Sequence, residues 1–373
     1  MADTRSNVEM PGIELIRFLA ALAVLVWHYQ HFFFTGSFDN SVAESLRPGF
    51  PFYSVLAPFY EHGHSAVQAF WVVSGFVFMR RYRHEIQTAV VSFEDFALRR
   101  FSRLYPLHFA TLIAVAVMQQ TYTSLHATPF IYDKSSALGF ASQLFMASNW
   151  FHDQPMSFNG PIWSVSSELL IYGLFFAVLC PINVVALKSP IVRTSLAAMV
   201  LAFFSLYVPL FSTVILTCGS FFMCGCFAER VFEYPVARRI SALVLVISGI
   251  ALALGYIAPN GLVMMAVASS AVMVCGSIDA FVPAPLLGAI ARLGNTTYSS
   301  YLLHFPLQLA AVIVVDSAGV SRDVFMRPAV FMAYIGITFG AALVTYQWFE
   351  LPMQRWLRSS WRAGMGSVGR VSA

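Results

Sequence analysis

Charged side chains are scarce in this chain. Asp, Glu, Lys and Arg make up 11% of its 373 residues, against 58% hydrophobic. With a mean hydropathy of +0.70, that balance excludes an ordinary soluble domain and marks an integral membrane protein. Cysteine is sparse too. Cys180, Cys218, Cys224, Cys226 and Cys275 all fall in or beside apolar stretches, so a disulfide-stapled ectodomain or a zinc site is not expected. Cys224 and Cys226 form a C-x-C inside an apolar helix and are expected to pack. No G-x-S-x-G elbow, P-loop, Rossmann glycine pattern or H-E-x-x-H occurs, which removes several hydrolase, nucleotide-binding and zinc-enzyme readings. No internal repeat or low-complexity segment is evident, and neither a bound metal nor a nucleic-acid partner is expected. The first apolar run is too long for a cleavable signal and has no A-x-A exit.

What is present is a series of apolar runs, and the pattern predicts an all-α, polytopic membrane bundle. Ten spans are expected, near 13–34, 64–81, 103–119, 162–181, 191–208, 210–229, 240–257, 261–278, 297–316 and 327–349. Residues 1–12 and 359–373 read as tails, with one membrane domain over 13–352 and a cytoplasmic segment over 353–373. Placing the N-terminus in the cytoplasm puts 17 of the 22 Lys and Arg in inner segments. Four (Arg47, Lys134, Arg322, Arg327) lie outside and Arg17 lies within the first span. The asymmetry predicts an even number of spans with both termini cytoplasmic. The two long outer loops, 35–63 and 120–161, are rich in aromatic, Pro and small polar residues and are expected to fold back onto the membrane. Their aromatic residues suit an interfacial belt, or stacking on sugar rings.

The first span carries the polar residues that set the question. Arg17 and His28 are eleven positions apart, which at ~100° per residue brings them within ~20° of one face, with His28 ~16 Å deeper. Glu14 precedes Arg17 on nearly the same stripe. Such groups are costly in a bilayer unless they face a wet cavity or find partners. They therefore either bridge helices or line a pocket. Arg99, Arg100 and Arg103 stand where the third span begins, and their guanidinium forks suit a phosphate-bearing ligand or anionic lipid. The fourth span opens on Trp163-Ser164 and carries Glu168, with Tyr172 one turn on. In the ninth, Thr297, Tyr301, His304 and Gln308 form one stripe, and Glu350 ends the tenth near the arginine cluster. Ser74-Gly75 in the second span permits close approach of a backbone or a ligand.

In order along the chain stand Arg17-x10-His28, Phe70-Trp-Val-Val-Ser-Gly-Phe76 and Arg100-x-x-Arg103-Leu-Tyr-Pro106. Trp163-Ser-x-x-x-Glu168, Tyr298-x-x-Tyr301-Leu-x-His304 and Phe349-Glu-x-Pro352 follow. Together these resemble the acyltransferase 3 family of membrane-bound acyltransferases. The chain is expected to lack the extracytoplasmic SGNH domain that some members carry. The resemblance implies transfer of an acyl group, usually acetyl, from cytoplasmic acyl-CoA to a hydroxyl of a carbohydrate or related acceptor at the cell membrane. On that reading Arg100 and Arg103 meet the donor phosphates, with Arg17, Ser74 and Gly75 also on the donor. His28 is the expected general base, and Glu168 or Glu350 the carboxylate that orients its ring. Arg17 would bind donor phosphate or stabilise the thioester oxyanion. Trp163, Ser164, Tyr301 and His304 are the expected acceptor contacts. The alternative is a transporter or flippase using the same buried Arg, His and Glu groups without acyl transfer.

Overall fold

The computed structural model describes residues 10–34, 40–132, 136–151, 154, 156–180, 213–278 and 283–368. Within them the chain is an all-α, multi-pass bundle, with β geometry limited to isolated bridge residues at Ile131 and Phe151. Seven of the described helices are long and apolar enough to cross a membrane. The span expected at 191–208 lies outside the described residues.

Helix α1 (Pro11–His28) starts with proline at its first position, where the missing N–H costs nothing, and runs on into a 3-10 turn at Tyr29–Phe33. Two short helices, α2 (Asn40–Leu46) and α3 (Tyr53–His62), follow in the first long loop. Helix α4 (Ala66–Gln87) is long enough to span, but Arg80, Arg81, Arg83 and Glu85 crowd its last turns. Helix α5 (Phe93–His126) has 34 residues, about 51 Å, well beyond the hydrophobic thickness. It starts at Ser92, whose hydroxyl accepts from the Asp95 N–H at 3.2 Å. The apolar window at 103–119 captures only its middle, because both ends are polar.

The second long loop carries α6 (Ala137–Leu144) and folds back into the bundle. His108 of α5 bonds the Gln143 carbonyl at 2.6 Å, and the Trp150 indole donates to the Ser166 carbonyl at 2.8 Å. Helices α7 (Ile162–Leu179) and α8 (Thr213–Val231) complete the inner layer with α4. Gly75 and Gly225 face each other across the α4–α8 contact. A Cβ on Gly75 would run into the Phe222 carbonyl, and one on Gly225 into the Val72 carbonyl. Two backbones therefore touch where any side chain would hold them apart. Cys226 Sγ sits there, 3.4 Å from the Gly75 carbonyl.

Helix α9 (Pro235–Ala253) is apolar with no buried residue, as suits a helix facing lipid all round. After α10 (Gly261–Cys275) and α11 (Ala284–Asn295), α12 (Thr297–Ser317) passes through the middle of the molecule. Helix α13 (Pro328–Thr345) ends in a π-turn at Tyr346–Glu350 before α14 (Leu351–Val368). Pro352 has no N–H for the carbonyl four residues back, and the Leu351 N–H bonds Tyr346 O, five back. The extra residue turns Glu350 inward while Trp348 stays outside. Residues 359–368, expected as tail, are helical: Arg358 Nε donates to Ser102 Oγ at 2.9 Å and docks α14 on α5.

Candidate active site

A cavity of about 690 Å³ lies among α1, α4, α5, α7, α12 and α14. Its wide end is ringed by Arg81 of α4, Arg99, Arg100 and Arg103 of α5, and Arg358 and Arg362 of α14. Some of these charges are already held. Arg99 pairs with Glu85 at 3.4 Å. Arg103 Nη1 donates to Glu350 Oε2 at 2.6 Å and its Nη2 to the Asn295 carbonyl at 3.1 Å. The Ser299 hydroxyl donates to the other Glu350 oxygen. Arg100 is held by a neutral group, the Tyr82 hydroxyl at 2.7 Å, and by the Phe78 face 4.9 Å away. Among the described residues it forms no ion pair with a carboxylate; Glu168 is the acidic group near enough to feel its charge.

Further in, Arg17, Ser74, Glu168 and Tyr172 line the wall. Arg17 is tied to Glu14 at 3.1 Å. Glu168 is 9% exposed, lies beside the Ser74 and Tyr172 hydroxyls, and leaves Oε1 without a partner. Ser164 and Tyr301 also line the cavity. The Tyr301 phenol donates to the Pro161 carbonyl at 2.8 Å and accepts from Ser164 Oγ at 2.8 Å. That pair bolts α12 to the start of α7.

One turn along α12 stands His304, fully buried. Its Nδ1–H donates to the Tyr301 carbonyl at 2.6 Å, which fixes the tautomer and leaves Nε2 as a lone pair without a partner. Its ring lies 4.5 Å from that of His28. His28, at the end of α1, has its backbone carbonyl held by Gln308 Nε2 at 2.8 Å. The His28 Nδ1 lies 3.4 Å from the Nδ1 of His31. The stripe Tyr301, His304, Gln308 thus presents one face of α12 to the last turn of α1. No group of metal-ligating side chains occurs among the described residues.

An acyltransferase domain model matches residues 10–347. The chain belongs to the acyltransferase 3 family. One relative, an acyltransferase designated MdmB from Streptomyces mycarofaciens, is 31% identical over 171 residues. That match covers 45% of this chain and only 38% of the relative's own length. No solved structure matches.

In this acyltransferase 3 chain the expected site residues fall into two groups. Arg17, Ser74, Arg100, Arg103, Ser164, Glu168 and Tyr301 line one cavity. His28 and His304 meet beyond Tyr301. Several expected roles need correction. Neither carboxylate orients His28: Glu350 is held by Arg103 and Ser299, and Glu168 faces Ser74 and Tyr172. Arg17 is engaged with Glu14, one turn further from His28, and unbroken α1 sets the Arg17 and His28 Cα atoms roughly 16 Å apart along its axis. Gly75 has its open side filled by the α8 backbone, leaving no room there for a ligand. Trp163 stands edge-on to Trp71 at 5.8 Å in the aromatic packing and does not line the cavity. The sequence reading missed Ser299, Arg358 and His31. His31 had a readable signal, the i, i+3 repeat of His28 at the end of the span.

Proposed function

We propose that the protein is a membrane-embedded O-acyltransferase. It moves an acyl group, acetyl in the simplest case, from cytoplasmic acyl-CoA to a hydroxyl of a carbohydrate or related acceptor. The observation that carries this reading is the cavity itself. Its mouth is lined with guanidinium groups, and its inner wall carries Ser164 and Tyr301; His304, one turn beyond Tyr301 and outside the cavity lining, packs against His28. Acyl-CoA is a long thin molecule with phosphates at one end and a thioester at the other, which matches that polarity.

In this reading Arg100, with Arg99, Arg103 and Arg358 beside it, binds the phosphates on the cytoplasmic side. The pantetheine arm runs past Ser74, Glu168 and Tyr172. His28 Nε2 takes the proton of the acceptor hydroxyl as the oxygen attacks the thioester carbonyl. The C–S bond then breaks, and the proton passes from His28 to the departing CoA sulfur, so the imidazole ends neutral. His304 offers its free Nε2 lone pair to a second hydroxyl of the acceptor. The location in the plasma membrane, with both termini cytoplasmic, belongs to the same proposal.

The test is transfer of radiolabelled acetyl from acetyl-CoA to a crude surface-glycan extract by the purified protein in detergent. Label in the glycan is the expected result. Failure to bind acetyl-CoA or to move label would overturn the proposal and favour a transporter.

A further inference from the structure

The proton chemistry assigned to His28 requires one tautomer. For Nε2 to accept a proton, Nδ1 must carry the hydrogen, and a buried N–H needs an acceptor. Serine-hydrolase triads supply a carboxylate there; among the described residues no carboxylate is bonded to His28. The partner within hydrogen-bonding distance is His31, whose Nδ1 lies 3.4 Å from the Nδ1 of His28. His304 does not take this place, for its Nε2 makes no hydrogen bond.

The backbone explains why the two rings meet. The chain changes from α-helix to 3-10 helix at Tyr29, and a 3-10 turn stacks residues three apart. His28 and His31 therefore eclipse, with ring centroids 4.7 Å apart and planes at 86°. His31 is 2% exposed, wedged edge-on between Trp27 at 5.6 Å and Phe34 at 6.3 Å. It has little freedom to turn away.

We propose that His31 is the positioning residue for His28: it accepts the His28 Nδ1–H and so holds the Nε2 lone pair of His28 ready for the acceptor hydroxyl. This inference rests on the acyl-transfer reading. A single hydrogen is shared between the two Nδ1 atoms, and its placement decides competence. Were His31 the donor, His28 would carry its hydrogen on Nε2 and could not take a proton. A neutral imidazole also stabilises the His28 imidazolium less than a carboxylate would, so His28 stays a mild base able to return its proton to sulfur. The other titratable groups facing the pair are His304 of α12 and His64, across Trp27 at 5.4 Å. Among the described residues the charges on this side are Arg47, 4.0 Å from Glu44 and close to His64, and Arg322, which is paired with Asp316 and donates to the Phe32 and Phe34 carbonyls.

The experiment follows kcat and KM for acetyl-CoA from pH 5.5 to 9, with CoA release read by mass spectrometry and the glycan extract as acceptor. The full-length protein is compared with His31→Ala, His31→Gln and His31→Glu, each checked for folding and acetyl-CoA binding. His31→Ala is expected to lose about 100-fold in kcat with KM unchanged. His31→Gln, whose Oε1 can accept from Nδ1–H, should recover to within about 10-fold of wild type. His31→Glu should move the acid limb of kcat to higher pH, because a carboxylate makes His28 more basic. Should His31→Ala fail to fold, the Gln and Glu variants decide alone. Wild-type kcat in His31→Ala would overturn the inference, as would Gln and Glu variants equally impaired with an unmoved acid limb. A wild-type protein that transfers nothing would overturn the acyl-transfer reading, and this inference with it.

Discussion

Arg103 and Glu350 stand 247 positions apart in sequence and 2.6 Å apart in space, and their bond closes the bundle. It joins α5 to the π-turn after α13, and the Ser299 hydroxyl ties in α12 on the far side of the carboxylate. The Glu350 side chain is 1% exposed and that of Arg103 19%. Removing one partner leaves a charge buried without compensation, a loss of ~3–5 kcal/mol. Glu350→Ala should therefore lower the unfolding temperature in detergent sharply. The double variant Arg103→Leu, Glu350→Leu should be less destabilised than the two single losses added together, which a double-mutant cycle of unfolding temperatures checks.

Arg100 is held by a hydroxyl and an aromatic face. Arg100→Lys keeps the charge but loses the planar fork and the stacking surface. It should raise KM for acetyl-CoA by about 10-fold with kcat nearly unchanged, the signature of lost donor binding. Steady-state kinetics checks this, and the wild-type KM should itself rise with salt as phosphate contacts are screened.

The Gly75–Gly225 contact leaves no volume for a methyl group, because backbone carbonyls stand in the way on both sides. Gly75→Ala should force α4 and α8 apart and cost ~1–3 kcal/mol. The expected readout is lower yield of folded protein and earlier thermal aggregation, whereas Gly173→Ala, with open space around it, should behave as wild type.

Tyr301→Phe keeps the ring but removes the bonds to Pro161 and Ser164. It leaves the Pro161 carbonyl with the Ser164 hydroxyl, 3.4 Å away, as its donor, so the loss is about one hydrogen bond, ~0.5–1.5 kcal/mol. Because Tyr301 stands between the cavity and His304, the variant should also lower kcat more than it raises KM for acetyl-CoA.

Much of this architecture can be read from the chain itself. Hydropathy marks the helical membrane class, and the spacing of Thr297, Tyr301, His304 and Gln308 places them on one face of α12, where His304 and Gln308 meet the end of α1. What escapes the sequence depends on local backbone geometry and on depth. His31 meets His28 only because the chain tightens into a 3-10 turn there, and Glu350 turns inward only through a π-turn. Hydropathy windows also pass over polar ends, so the full length of α5 and the helical stretch carrying Arg358 went unseen. The carboxylate sought for His28 was misplaced for a simpler reason. Residues on different helices have no distance until the bundle is built.

In the proposed reaction donor binding and proton transfer reside in separate groups, the arginines of the cavity mouth and His28. The most direct measurement is acetyl-CoA binding by calorimetry alongside acetyl transfer to the glycan extract, for wild type and His28→Ala. Equal donor affinity is expected in both, with transfer reduced at least 100-fold in the variant. Full transfer by a folded His28→Ala protein would contradict it.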